Sequence, residues 1–204
     1  SGLYSLGLFS KVKPPKAIKI YGVISLLFTL FMLKNTLSYT PVPILSGIAP
    51  TTHYNFFNKE VKELSNTKDF DEALAMSIEL GKPILIDFSG YGCVNCREME
   101  EKVWIRKDIQ ELMGQYIIVS LYVDDRTLLP EEEQYNSDVT GKLKRIKTIG
   151  NKWTDFEIRH FQKASQPYYI IVDKDMNVLT TPIGYSDAAT FKKFLQCGLE
   201  EFSK

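Results

Sequence analysis

Residues 84–96 read ILIDFSGYGCVNC. Ile84-Leu85-Ile86-Asp87-Phe88 is a short, nearly continuous apolar run, the pattern of a central strand covered on both faces. Gly90-Tyr91-Gly92 is a turn, and a helix should start near Cys93. Cys93, at the first turn of that helix, meets unpaired backbone N–H groups and the positive end of the helix dipole. Both favour the thiolate, which is the attacking species. Cys96, one turn on and on the same side, is placed to resolve a mixed disulfide. Asp87 lies six residues before Cys93, beneath the pair, and a carboxylate within an apolar strand is costly to ionise. It can take a proton from the Cys96 thiol and return it. Glu100, four residues after Cys96, shares its side of the helix and would add a second negative charge. The plainer alternatives are an Asp87 that reaches solvent at the strand end and an ordinary solvated Glu100.

Outward from this stretch, the patterning from about residue 66 is that of a packed domain. Asp69 followed by Glu72 signals a capping box. Phe70, Leu74 and Ile78 share one helical face, and Gly81 with Pro83 ends that helix. Residues 116–123 (YIIVSLYV) predict a second buried strand, and residues 125–151 are polar and predict an elaborated loop. A helix is expected over 154–163, where Trp153, Phe156, His160 and Phe161 are available for packing. Residues 168–172 form a third strand, and a turn at 173–177 leads to a fourth near 178–181. Ser186 or Asp187 begins a last helix lined by Phe191, Leu195, Leu199 and Phe202. The order α-β-α-β-α-β-β-α implies an α/β fold with a mixed sheet flanked by helices. Gln166-Pro167 stands at the entry of the third strand. A cis peptide there would bring the backbone beside the cysteines and leave an edge for an extended substrate.

Toward the N-terminus, residues 20–33 (IYGVISLLFTLFML) are uncharged and apolar apart from Ser25 and Thr29. The run reaches bilayer length when extended to 18–38. A signal peptide and a buried soluble helix are the alternatives, although no small-residue cleavage site follows. Lys11, Lys13, Lys16 and Lys19 precede the run with no acid among residues 1–19, and residues 35–58 carry no Lys, Arg, Asp or Glu. By the positive-inside rule, residues 1–17 are a cytoplasmic loop and everything after the span lies outside, where disulfides persist. Pro41, Pro43, Gly47 and Pro50 mark residues 39–65 as a connector, and 66–204 as the domain. The chain has 204 residues, with 25 basic and 25 acidic side chains. The basic excess of residues 1–19 therefore leaves the remainder mildly acidic, which argues against nucleic acid as a partner, while the basic cluster itself suits the surface of a lipid bilayer.

A lone Cys-x-x-Cys is moderately specific. A structural zinc site needs four ligands, and Cys197, His53 and His160 are scattered without ligand spacing, so no metal is expected. Cys197 reads as an unpaired spectator. No further cofactor is implied beyond a redox-active Cys93–Cys96 disulfide.

Taken together, DFSGYGCVNC, the Asp87-to-Cys93 interval and Gln166-Pro167 before a strand hairpin resemble the thioredoxin family. The sequence is similar in particular to the C-terminal domain of the DsbD thiol:disulfide interchange family. The shared features are Cys-Val-x-Cys, the acid at Glu100, the trailing Val103-Trp104, the strand end Val123-Asp124-Asp125, and a final transmembrane helix with a Pro-rich connector. The resemblance implies a thioredoxin-like domain preceded by one transmembrane helix, anchored in the inner membrane and facing the periplasm. It implies a protein-disulfide reductase that takes electrons from a membrane donor domain of the same or a cognate protein. Those electrons pass to periplasmic disulfide-bearing proteins, and onward to isomerases and cytochrome c maturation. Tyr91, Gly92, Gln166 and Pro167 would form the substrate-facing surface. Gly92 departs from the family by replacing an aromatic, a surface Tyr91 can supply, and the 125–151 segment is longer than in a plain thioredoxin. The same residues would serve an oxidase or isomerase, since direction depends on redox potential. A metal-binding or chaperone module on this scaffold is the reading from another class.

Overall fold

The computed structural model describes residues 15–38 and 66–204. The expected connector, with Pro41, Pro43, Gly47 and Pro50, and most of the N-terminal loop lie outside the described residues. The chain divides into two units, one holding the N-terminal helix and the other the domain.

The first unit contains α1 (Lys16–Ser38). Ile20, Ile24, Leu27 and Leu30 are all more than half exposed, which is not how a core helix of a soluble domain presents its apolar side chains. By length and composition, residues 16–34 suffice to cross a membrane.

In the second unit the described elements run β1 (Asn66–Thr67), α2 (Phe70–Leu80), β2 (Ile84–Ser89), α3 (Val94–Met99) with a π-helical continuation (Glu100–Trp104), α4 (Lys107–Met113), β3 (Ile117–Tyr122), β4 (Tyr135–Ser137), β5 (Lys144–Ile146), α5 (Ile149–Phe161), β6 (Tyr168–Val172) and α6 (Ala188–Phe202). The main sheet has the order β1-β3-β2-β6. β3 runs parallel to both β1 and β2, and β6 is antiparallel to β2. This is the expected α/β mixed sheet flanked by helices.

Strand alternation sorts the core into two halves. Ile84, Ile86 and Phe88 pack with Phe70, Trp153 and Phe156, from α2 and α5. Leu85 packs on the other face with Met99, Val103, Ile109, Phe191 and Leu195, from α3 to α6. Period-two geometry therefore turns Asp87 toward the face covered by α3, the helix that carries Cys96.

Several elements depart from expectation. β1 escapes a patterning argument because only two residues pair, Asn66 with Ile118 and Thr67 with Val119. On α2 the buried positions are Phe70, Ala73 and Ser77, while Ile78 is 63% exposed. Ser77 belongs inside because its hydroxyl donates to the Lys82 carbonyl at 2.6 Å. Asp69 caps α2 as expected, accepting from the N–H groups of Asp71 and Glu72. Glu72 does not reach back to Asp69 itself; it accepts from the Thr67 hydroxyl, which in turn accepts from the Asp69 N–H. Gly81 ends the helix in the left-handed region, at φ 61°.

The 125–151 segment is not a plain loop. It contains a 3-10 turn (Glu131–Glu133) and the β4–β5 hairpin. Helix α5 starts at Ile149 rather than 154, capped by the Thr148 hydroxyl, and ends with Gln162 at φ 54°. The fourth strand near 178–181 does not form. Val178 bridges Val172 and Ile183 bridges Tyr169, but the stretch between bows away. The segment advances from 179 to 183 while its β6 partner advances only from 171 to 169, and Pro182 has no N–H to donate.

Candidate active site

The turn joining β2 to α3 is fixed from several sides. Asp124, just past the end of β3, accepts from the N–H groups of both Tyr91 and Gly92 at 2.8 Å. The Cys93 N–H donates to the Gly90 carbonyl at 3.2 Å. Cys93 is the N-cap of α3, its Sγ accepting from the Cys96 N–H at 3.2 Å. The two cysteines form a disulfide, with Cα atoms 5.3 Å apart. Cys93 is half-buried, whereas Cys96 is 1% exposed, so a partner disulfide can reach only the first.

Gln166 and Pro167 arrive at the same turn. Phe88 is in register with Tyr168, so Pro167 continues β6 alongside Ser89. The Gln166–Pro167 peptide is cis. A Cβ added to Gly90 would stand 2.9 Å from Gln166 Oε1 and 3.1 Å from Asp124 Oδ2. Room at Gly90 is therefore limited by the ends of two side chains, of which Asp124 is held in place by its bonds to the turn.

On the face of β2 that α3 covers lies a buried polar group. Asp87 is 2% exposed and accepts from the Ser120 hydroxyl at 3.0 Å through Oδ2. Its Oδ1 has no hydrogen-bond partner among the described residues. Burial, reinforced by the nearby Glu100 carboxylate, pushes its carboxyl up to about 7. Glu100 pairs with the Arg97 guanidinium at 2.7 Å, yet its own burial outweighs that attraction and pushes it up to about 7 as well. Arg97 is itself buried and also donates to the Ser89 hydroxyl and the Gly90 carbonyl. Tyr169, opposite Asp87 in the sheet, has its hydroxyl pushed well up by burial and by the Asp87 and Glu100 charges.

On the outside, Tyr91 is 57% exposed and stacks on Tyr122 with ring centroids 4.4 Å apart. Lys68 lies over both rings, and the Tyr91 hydroxyl donates to Asp125. On the far side of α3, Tyr185 donates to Glu98 at 2.6 Å.

All eight residues singled out in the sequence thus gather about one turn: Cys93, Cys96, Asp87 and Glu100 along α3 and beneath it, Tyr91, Gly92, Gln166 and Pro167 around its mouth. Arg97, Ser120, Tyr169 and Lys68 were not foreseen. Arg97 follows a cysteine in a charge-rich run and reads as solvated, and Ser120 is marked only by being a hydroxyl in an apolar strand. Tyr169 and Lys68 carry no local signal.

A disulfide at the N-terminus of a helix that leaves the centre of such a sheet, with a buried acid on the same face, defines the thioredoxin-fold class of thiol–disulfide oxidoreductases. The chain belongs to the thioredoxin-like domain family, whose sequence profile matches residues 70–198. Similar solved structures include the DsbH oxidoreductase, 17% identical over 73% of this chain and 95% of that one, with a TM-score of 0.48. A thioredoxin from Thermus thermophilus is 20% identical over 65% and 85% of the respective chains, at 0.45. A disulphide isomerase from Xylella fastidiosa Temecula1 is 15% identical over 76% and 97%, at 0.38. Among curated protein sequences none matches the chain.

Proposed function

We propose that this protein is a membrane-anchored protein-disulfide reductase of the DsbD type. Residues 1–17 would be cytoplasmic, 18–38 would span the inner membrane, 39–65 would link, and 66–204 would work in the periplasm. A membrane dithiol donor, in the same or a cognate protein, would reduce Cys93–Cys96 and so supply the two electrons. The Cys93 thiolate then attacks a partner disulfide, forming a Cys93–partner bond and releasing one partner thiolate. Asp87 takes the Cys96 proton, and the Cys96 thiolate displaces the partner from Cys93. The Cys93–Cys96 disulfide re-forms, and the second partner thiolate leaves and is protonated. No cofactor beyond the disulfide enters.

The observation that carries the exchange mechanism is the asymmetry of the pair, Cys93 half-buried at a helix N-cap and Cys96 buried; the buried acids Asp87 and Glu100, which disfavour thiolate nearby, support the reductive direction. Against redox standards of glutathione and thioredoxin, the pair should equilibrate nearer thioredoxin, about −270 mV, than the strongly oxidising DsbA, about −120 mV. A value at the oxidising end would overturn the direction. In cells, Cys96→Ala should accumulate covalent complexes through Cys93, Cys93→Ala should accumulate none, and Cys197→Ser should keep nearly full activity. Equal trapping by both single variants would contradict the assignment.

A further inference from the structure

Gln166 and Pro167 serve a partner only if the segment between α5 and β6 is held against the Gly90 turn. That segment is a short loop that follows Gln162 in its left-handed conformation. Its tether is a side chain that the redox chemistry above does not use. Glu157, on α5, is 1% exposed, and its Oε1 accepts from the Ser165 backbone N–H at 2.8 Å. Burial pushes its carboxyl up to about 7, against the Ser165 N–H bond and the pull of nearby Lys163. A carboxyl is a costly group to bury, and here it satisfies a backbone donor one residue before Gln166. Gln166 Oε1 then lies beside Gly90, whose carbonyl accepts from the Cys93 N–H and from Arg97. A line of direct neighbours therefore runs from Glu157 through Ser165, Gln166 and Gly90 to Cys93.

We propose that Glu157 is the positioning residue of the substrate-facing loop, setting how a protein disulfide docks against Cys93 without itself touching the redox pair. The proposal rests on the reading of Cys93–Cys96 as a reductase pair. It separates docking from chemistry: a protein partner needs the loop, whereas a small disulfide needs only access to Cys93.

The test is single-turnover oxidation of the pre-reduced full chain by insulin and, in parallel, by the small disulfide DTNB. With insulin, one substrate disulfide becomes two thiols as Cys93 and Cys96 close to a disulfide. Glu157→Ala should slow the insulin reaction by about tenfold, the scale expected when a reacting pair is misplaced by a fraction of an ångström. It should leave the DTNB rate and the equilibrium with glutathione unchanged. Glu157→Gln keeps an oxygen acceptor at the same reach and should stay within about twofold of wild type. Glu157→Asp withdraws the acceptor by one methylene and should fall between them, and it carries the test if the Ala variant does not fold. An unchanged insulin rate in both the Ala and Asp variants would overturn the proposal and leave the reductase reading standing. So would equal slowing with both substrates, a shifted glutathione equilibrium, or a Gln variant as slow as Ala. Failure of the wild type to reduce either disulfide would overturn both.

Discussion

Asp87 and Glu100 both change charge near neutral pH, chiefly because both are buried, and the Glu100 carboxylate makes ionisation of Asp87 harder still. Two consequences follow at the scale of single residues. The first concerns stability. In the unfolded chain Asp87 loses its proton near 3.8, whereas in the fold it holds it to about 7. Between those values the folded state binds more protons, so stability falls as pH rises, and the cost is complete above about 7. Asp87→Asn should therefore stabilise the protein at pH 8 by up to about 4 kcal/mol, taking 1.36 kcal/mol per unit. The gain should vanish below about pH 4, as measured by denaturant midpoints at both pH values. The second concerns kinetics. Ionised acids behind the pair oppose the Cys93 thiolate, so Asp87→Asn and Glu100→Gln should each lower the pH midpoint of Cys93 alkylation. Asp87→Asn should also slow release from the mixed disulfide and flatten its rise through about pH 7. If neither variant lowers the alkylation midpoint, the acids are not coupled to the thiol. The sequence showed Asp87 and Glu100 because a carboxylate in an apolar strand and an i,i+4 spacing are local facts. It hid Arg97, whose guanidinium bonds at once to Glu100, Ser89 and Gly90, because that arrangement exists only once the turn has folded back.

Among the elements, α5 carries two buried acids that fasten different non-helical segments. Glu157 holds the loop before β6. Asp155 accepts from Tyr135, Ser137 and Arg159, and so pins the β4–β5 hairpin to the helix. Asp155→Ala would leave those donors without their acceptor and should cost about 2–3 kcal/mol, with hairpin amides losing hydrogen-exchange protection before the main sheet does. The start of α5 is equally constrained. A Cβ at Gly150 would lie 2.5 Å from the Val123 carbonyl and 2.6 Å from the Asp125 nitrogen. Gly150→Ala should thus destabilise by more than about 2 kcal/mol despite its helical position, a sign opposite to that expected from propensity alone. These contacts explain why residues 125–151 read in the sequence as an elaborated loop. The hairpin has no apolar period of its own, and its anchors are side chains on a helix that follows it. The main strands, by contrast, announce themselves through continuous apolar runs that need no distant partner to be recognised.

At the scale of the molecule, the four lysines at and before the start of α1 and the uncharged residues 35–58 predict an orientation that can be measured on the full chain. Protease added from the outside of spheroplasts should degrade residues 66–204 and spare the N-terminal end. Protection of the domain until the membrane is breached would reverse the topology. The α/β layering was legible from element order, since strands separated by helices leave few arrangements for the sheet. The order β1-β3-β2-β6 was less so, because β1 contributes two residues and the 178–183 stretch pairs only at its ends.

That last stretch has an effect on how the protein behaves in company. Tyr169 exchanges both backbone hydrogen bonds with Ile183, and the Ile171 carbonyl is taken by the Leu179 N–H. The outer rail of β6 is therefore already occupied by a piece of chain that Pro182 keeps from becoming a regular strand and hence a new template. A stranger polypeptide finds no row of open amides there to extend the sheet, which is the usual route to fibrous self-association.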